Sequence, residues 1–355
     1  MRRAEAAHDT DAAVPPELLA TALEMTWTVG EHSRYELEAA REHFAVLRAA
    51  QLVNRAFHAA SIGPFRALLV ESETAMRWLA AMEARGVNEE RGAMLRVFVM
   101  DTEQGDDVEI LRLAASNLEV VVYTMLESAW PASLPLVHFL SLTYSTLSDL
   151  AAQHLPSLRT LHIDGVYTGS APEWPSTGMP ALRTLSLAFP DQIPSHELVN
   201  IERLVNLQSL SISSIYSGDL DLLFGNMSAT AQSIEQLSLD FVQISLEGEE
   251  DDPQRTLDEL RSGCAHAAAR LPSLSALSLR YGHGGAEVSS ADYVLSRMGQ
   301  LIEDASTWPR LRRVEVGLAS ADDEHTLFEL PEICERRGIK LVPMLKYASR
   351  PRYVR

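Results

Sequence analysis

A short arrangement of apolar side chains recurs along the middle and C-terminal part of this 355-residue chain. The order is Leu-x-x-Leu-x-Leu, where x is mostly polar, and the segments 155–163, 179–187 and 271–279 are nearly identical and each begins with Leu-Pro or Met-Pro. The nine copies begin at Met94, Leu118, Val137, Leu158, Leu182, Leu207, Ile234, Leu274 and Leu311. A repeated unit constrains the fold strongly, because each unit has to pack on copies of itself.

The spacing within each copy predicts a short strand. A period of two places both later leucines on one face, and the leading apolar residue turns inward just before the strand. A proline two residues or so before the leading residue is expected to end a preceding helix. Helical spacing is found between copies, at 194–204, 253–270 and 289–304. Alternating strands and helices predict an α/β solenoid with a curved parallel sheet inside and helices outside.

The repeated Leu-x-x-Leu-x-Leu order, here called the frame, resembles that of leucine-rich repeats over about residues 94–343. The asparagine or cysteine that usually follows the last leucine is replaced by Val166, Pro190, Ile215, Val242 and Gly282. In this respect the repeats resemble the irregular, fungal-type repeats that follow an F-box. The fold class implied is a leucine-rich-repeat solenoid with a small all-α head at its N-terminus.

The segment 14–70 resembles an F-box. Val14 and Pro15 stand where that family has its leading Leu-Pro, Glu17 matches an acidic position, and Leu18 and Leu19 match an apolar pair. A second helix carries an apolar-Val-x-basic-x-aromatic run, and Phe65 with 68–70 resembles the closing strand. The residues of that run are Leu52, Val53, Asn54, Arg55 and Phe57.

The resemblance implies that this chain is the substrate-recognition subunit of a cullin-RING ubiquitin ligase. Its F-box would bind a Skp-type adaptor, and through it a cullin, with the repeats binding a target protein. The implied adaptor-binding residues are Val14, Pro15, Glu17, Leu18, Leu19, Val53 and Phe57. The alternative is a free-standing interaction scaffold in which 14–70 is a helical cap that seals the first repeat.

Four segments follow from these patterns: a disordered N-terminus at 1–13, the F-box-like head at 14–70, the solenoid at 71–343 and a tail at 344–355. Residues that alternate with the buried leucines should line the concave face of the solenoid. That face is rich in hydroxyl groups in the middle and gains charge toward its C-terminal end. The predicted target-binding residues are His162, Asp164, Ser186, Ser211, Gln236, Asp240, Arg280 and Arg313.

Composition narrows the possible partners and chemistry. The chain carries 30 Lys and Arg against 49 Asp and Glu, a net charge of -19, which disfavours nucleic acid or a membrane as the main partner. Two cysteines, Cys264 and Cys334, provide no disulfide framework, and the chain shows neither a signal segment nor a membrane-spanning stretch. We expect a cytoplasmic or nuclear protein that is not an enzyme and has no catalytic residue, metal site or cofactor.

Overall fold

The computed structural model describes the residues of this chain that form the strands, the turns leading into them and several helical segments. The described residues are 45–46, 49–50, 52, 68–70, 95–100, 107–123, 131, 133–143, 154–164, 179–188, 204–215, 233–241, 271–281, 299, 302–305, 308–318 and 329–345. They belong to two compact units, 1–118 and 119–355.

The N-terminal unit contains a pair of parallel strands followed by a helix. Strand β1 (Leu68–Val70) pairs in parallel with strand β2 (Val97–Met100), and helix α1 (Asp107–Ala114) comes next. The side chain of Arg96 donates a hydrogen bond of 3.3 Å to the carbonyl of Asn117, which ties the approach to β2 to the end of α1.

The described part of the C-terminal unit is an open parallel sheet of nine strands that stack in chain order. Every neighbouring pair in it is parallel, as a solenoid requires. The strands are β3 (Val120–Tyr123), β4 (Phe139–Thr143), β5 (Thr160–Asp164), β6 (Thr184–Ala188), β7 (Ser209–Ile215), β8 (Gln236–Phe241), β9 (Ala276–Tyr281), β10 (Arg313–Leu318) and β11 (Lys340–Leu345).

The repeated apolar residues of β3 to β10 form the core of this unit. The register aligns them into columns that cross the strands, so that Leu185 of β6 lies between Leu161 of β5 and Leu210 of β7. The leading residues are buried as well, from Leu118 to Leu311. Each buried leucine contributes about 2 kcal/mol of transfer free energy. A single repeat unit, here called a coil and made of one strand with the turn before it, could not obtain this energy alone, because its apolar side chains would face water.

A tight turn precedes most of the leading residues in the described part of the chain. In six described coils the amide of the leading residue donates to the carbonyl three positions earlier, with N to O distances of 2.9 to 3.4 Å. Proline occupies the second position of five of these turns, where its fixed φ is already suitable. The prolines are Pro135, Pro156, Pro180, Pro272 and Pro309. Their role in the described structure is therefore to form a turn, and the residues before most of these turns lie outside the described part.

Hydrogen bonds between successive turns tie one coil to the next. The Ser157 hydroxyl donates to the carbonyl of Pro135 at 2.6 Å, and the Asn206 amide donates to the carbonyl of Pro180 at 2.8 Å. Just before the strands, one carbonyl accepts from two amides of the next coil: His138 accepts from Arg159 at 2.9 Å and from Thr160 at 3.0 Å. The same doubled bond occurs at Glu119, Arg159, Arg183, Gln208, Glu235 and Ser275.

A short helix precedes the last strand of the sheet. Helix α2 (Leu330–Arg337) ends at Gly338, whose φ of 66° is the left-handed conformation that glycine tolerates best. The Gly338 and Ile339 amides donate to the carbonyls of Glu335 and Cys334, at 3.0 and 2.8 Å. This Schellman arrangement turns the chain directly into β11.

The guanidinium of Arg337 holds together the turn that precedes β10. It donates to the carbonyls of Ile302, Asp304 and Trp308, the last two at 3.4 Å. The side chain thus satisfies backbone acceptors that a helix end leaves without intrahelical partners.

Strand β11 contains a proline whose missing amide hydrogen faces away from β10. The Lys340 amide donates to the Arg312 carbonyl of the preceding coil at 2.8 Å. Since the register is unbroken from 340 to 345, Val342 and Met344 share that orientation and Pro343 has the opposite one. Pro343 therefore costs no ladder bond to β10, which is the placement that edge strands allow.

The predicted strands of the copies that begin at Leu118 to Leu311 are confirmed, and the first copy is confirmed only in part. In β2 Val99 is fully buried, as the pattern starting at Met94 predicts, but Val97 is half-buried and its neighbour Phe98 is fully buried instead. Of the predicted helices, 194–204 (apart from Leu204) and 253–270 lie outside the described residues, and 289–304 is helical at Gly299, Ile302 and Glu303. None of the helices in the described part has the length and hydropathy that crossing a membrane requires.

Candidate functional site

The strand positions that alternate with the core columns form three rows on the other face of the sheet, here called the polar face. The first row is Phe139, Thr160, Thr184, Ser209, Gln236, Ala276, Arg313 and Lys340. The middle row is Ser141, His162, Ser186, Ser211, Ser238, Ser278, Glu315 and Val342. The third row is Thr143, Asp164, Ala188, Ser213, Asp240, Arg280, Gly317 and Met344.

The main chemistry of the polar face is hydrogen bonding, because hydroxyl groups dominate the middle row and recur in the other two rows. A hydroxyl both donates and accepts, and neighbouring strands present such groups about 4.8 Å apart. Several of these side chains are half-buried in the middle coils, among them Thr184, Ser186, Ser209 and Ser211. The face can therefore form many modest polar contacts with a second molecule.

The middle row is more deeply buried than the sequence predicts. His162 is only 5% exposed, and its ring lies against that of Phe139 with centroids 5.4 Å apart. Ser141 and Ser278 in the same row are also buried. These side chains offer little surface to a partner, although the frame assigned His162 to an accessible position.

The structure brings the predicted target-binding residues onto one face but into different rows. His162, Ser186 and Ser211 occupy successive strands of the middle row. Gln236 and Arg313 are in the first row and both are exposed. Asp164, Asp240 and Arg280 occupy third-row positions, and Asp164 is exposed. Their role in binding a target stays a prediction.

The predicted adaptor-binding residues Val14, Pro15, Glu17, Leu18, Leu19, Val53 and Phe57 lie outside the described residues. Within the predicted second helix, residues 45–46, 49–50 and 52 are helical. Ala50 is buried there, whereas Leu52 is 85% exposed. Residues 68–70, which resemble the closing strand of an F-box in the sequence, form strand β1, whose partner is β2.

Sequence reasoning did not single out the cations that stand just before the strands. Arg159 and Arg183 hold the position directly after the leading residue in adjacent coils, and the Arg183 amide donates to the Arg159 carbonyl at 2.9 Å. Arg312 holds the same position before β10, and all three side chains are exposed. In the sequence each of these arginines can be recognised as a basic residue directly after a leading leucine. Only the strand register shows which of them lie next to each other in the sheet.

Charge is partly balanced at the C-terminal end of the polar face. Arg313 forms an ion pair with Glu315, two residues along the same strand. Arg336 pairs with Glu303 at 2.7 Å and with Glu332 at 3.9 Å on the surface of α2. Pairs this exposed contribute about 0 to 1 kcal/mol each, so they orient side chains more than they stabilise the fold.

The thiol of Cys334 is buried in α2. Burial raises its pKa above the ordinary value of 9.0, and the nearby Arg337 charge partly opposes that rise. Since the folded state favours the protonated thiol, this group stabilises the fold below pH 9 and loses that contribution as the pH rises further. We expect an alkaline decline in the free energy of unfolding from this group.

Burial of the Cys334 thiol should also slow its reaction with thiol reagents. In a Cys264→Ser variant, which leaves Cys334 as the single thiol, we expect labelling by an aromatic disulfide at pH 8 to be slower by about a hundredfold in buffer than in concentrated urea. Absorbance of the released thiolate measures both rates. Equal rates in the two conditions would contradict the burial of Cys334.

Within the described residues, no group of three or more His, Cys, Asp or Glu side chains is placed to hold a metal ion. Comparison with models of protein families finds no family that matches this chain. A search of curated proteins likewise finds no match.

Proposed function

We propose that this chain is the substrate-recognition subunit of a cullin-RING ubiquitin ligase of the Skp-adaptor type, an F-box protein with irregular leucine-rich repeats. The F-box resemblance of 14–70 supports the adaptor contact. The observation that carries the recognition role is the register of β3 to β11, which sets three largely polar rows side by side on one face. A stacked parallel sheet of this kind offers a broad binding surface.

In this proposal no bond is made or broken by side chains of this chain. The repeats would hold a target protein near the transferring enzyme, and proximity would supply the rate increase. Specificity would come from side chains of the polar face that are exposed enough to be desolvated by a partner, such as Gln236 and Arg313.

An adaptor-binding assay tests the proposal. We expect a purified Skp-type adaptor to be retained by the wild-type chain at about micromolar concentration, and a Leu18→Asp plus Leu19→Asp variant to lose at least about tenfold in affinity, because two buried carboxylates would replace an apolar contact. Surface plasmon resonance with immobilised adaptor measures the affinity.

A matched control places the same two changes on exposed apolar residues of the C-terminal unit. Leu136 and Val205 lie in turns and are exposed, so Leu136→Asp plus Val205→Asp should leave the adaptor affinity within about twofold. Circular dichroism of both variants monitors folding. No retention by the wild type, or equal loss in the two variants, would remove the basis of the adaptor role.

A specific observation favours the second candidate, a free-standing interaction scaffold. Strand β1 lies inside the segment that resembles an F-box, yet it pairs in parallel with β2, as the first coil of a capped solenoid would. In that case 14–70 would seal the apolar end of the first coil, and the Leu18 and Leu19 changes would lower the free energy of unfolding without any adaptor being involved.

A further inference from the structure

Four cations lie near one another in the chain and in the strand register at the C-terminal end of the first row, at a place here called the basic corner: Arg310, Arg312, Arg313 and Lys340. Arg310 lies in the turn before β10, Arg312 follows the leading Leu311, and Arg313 begins β10. Lys340 begins β11 directly beside Arg313, and its amide donates to the Arg312 carbonyl at 2.8 Å. All four side chains are exposed.

The positive charge of the basic corner is incompletely neutralised. Among the described residues, Arg313 is paired with Glu315, whereas Arg310, Arg312 and Lys340 form no ion pair. Strand spacing brings Arg313 and Lys340 within about 5 Å of each other at the backbone, and like charges opposite one another across strands destabilise a sheet. An anion bound between them would relieve this repulsion.

The rest of the chain makes this local charge distinctive. With 30 Lys and Arg against 49 Asp and Glu, most of the surface repels anions. An anionic partner is therefore held where cations are concentrated, and the basic corner is such a place. Nucleic acid would meet the negative surface beyond the corner, since its charge continues over many phosphates.

The surroundings of the corner indicate an extended polypeptide. From Arg313 the first row continues across the sheet through Ala276, Gln236, Ser209, Thr184 and Thr160, side chains without charge that are mostly able to hydrogen-bond. We propose that the basic corner and the first row bind an acidic segment of a partner protein, with its carboxylates on the corner and its backbone along the row. The proposal rests on the recognition part of the proposed function and needs no adaptor.

A defined peptide tests this proposal on the full chain. The probe is a fluorescein-labelled peptide of about ten residues that alternates glutamate and serine, which when extended spans about 33 Å, or about seven strand spacings. We expect saturable binding by fluorescence anisotropy at low salt, weakening as salt is added because the contacts are exposed charges. The same peptide with glutamine in place of glutamate should bind at least about tenfold more weakly.

Two charge-reversal variants locate the site. Arg312→Glu plus Lys340→Glu should lower the affinity at least about tenfold, whereas Arg112→Glu plus Arg336→Glu, two exposed arginines on helices α1 and α2, should change it by no more than about twofold. Arg310→Glu alone should also weaken binding. Because Arg310 lies in a turn outside the strands, this loss could not be explained by a folding defect in β11.

Three outcomes would overturn the proposal: no saturable binding by the wild type, equal loss in the two double variants, or displacement of the peptide by an equimolar amount of inorganic pyrophosphate, which would indicate a site for compact anions. Adaptor retention is measured on a different part of the chain. A failed adaptor assay with successful peptide binding, or the reverse, therefore separates this inference from the proposed function.

Discussion

Replacing Leu210 by aspartate is expected to unfold the central coils of the C-terminal unit. Leu210 is fully buried in the second position of β7, between Leu185 and Leu237 in the core column. A carboxylate there would have no partner in the apolar column and would leave the volume of the leucine partly empty. We expect the free energy of unfolding to fall by about 4 to 6 kcal/mol, a large share of the stability of a typical domain.

The adjacent residue provides the matched control. Ser211 follows Leu210 in the same strand but belongs to the middle row of the polar face and is half-buried. Ser211→Asp should cost less than about 1 kcal/mol, because the new carboxylate keeps contact with water. Urea denaturation followed by circular dichroism measures both variants. If the two changes were equally damaging, alternate residues of β7 would not face opposite sides.

The second large effect is expected at Trp308. Its indole is 1% exposed and stands at the start of the turn before β10, where the other described turns of this type have leucine or methionine. Trp308→Ala should lower the free energy of unfolding by about 3 to 5 kcal/mol, because a large cavity would remain beneath the last turn. The effect should be local at first, since neighbouring coils of a stacked sheet support one another only pairwise.

Trp308→Leu separates the volume of the indole from its polar nitrogen. Among the described residues, the Nε1 group of Trp308 has no hydrogen-bond partner, and leaving such a buried donor unpaired costs about 1 to 3 kcal/mol. Leucine removes that donor while filling part of the space, so we expect a net loss of about 1 kcal/mol. Urea denaturation curves of the alanine and leucine variants should differ clearly; coincident curves would contradict the packing role of the indole.

The strands and the core columns of the C-terminal unit could be predicted because polar residues alternate with leucine there. In β2 the same rule fails, since Val97, Phe98, Val99 and Met100 are all apolar and a period of two cannot select one face. The last strand, β11, does not follow the Leu-x-x-Leu-x-Leu pattern, for another reason. Gly338 stands at the position that corresponds to the leading residue Leu311 of the preceding coil, and the buried side chain is that of the next residue, Ile339.

The sequence predicts which residue types make up the polar rows, but it does not predict which of these residues lie next to each other. Ser238 and Ser278 lie in adjacent strands although 40 positions separate them in the sequence. The basic corner was hidden for the same reason, because Lys340 follows Arg313 only after helix α2. Side-chain burial in the middle row depends on the packing of neighbouring rows, which the repeat frame does not specify.

Pro343 limits where a chain of this design can gain length. A duplicated coil inserted between β5 and β7 would meet backbone ladders of unbroken register on both sides. A duplicate appended beyond β11 would meet a strand that lacks one donor on its outer side, and so would the strand of another molecule approaching that edge. The proline thus both discourages self-association at this edge and confines the expansion of the repeats to the interior of the array.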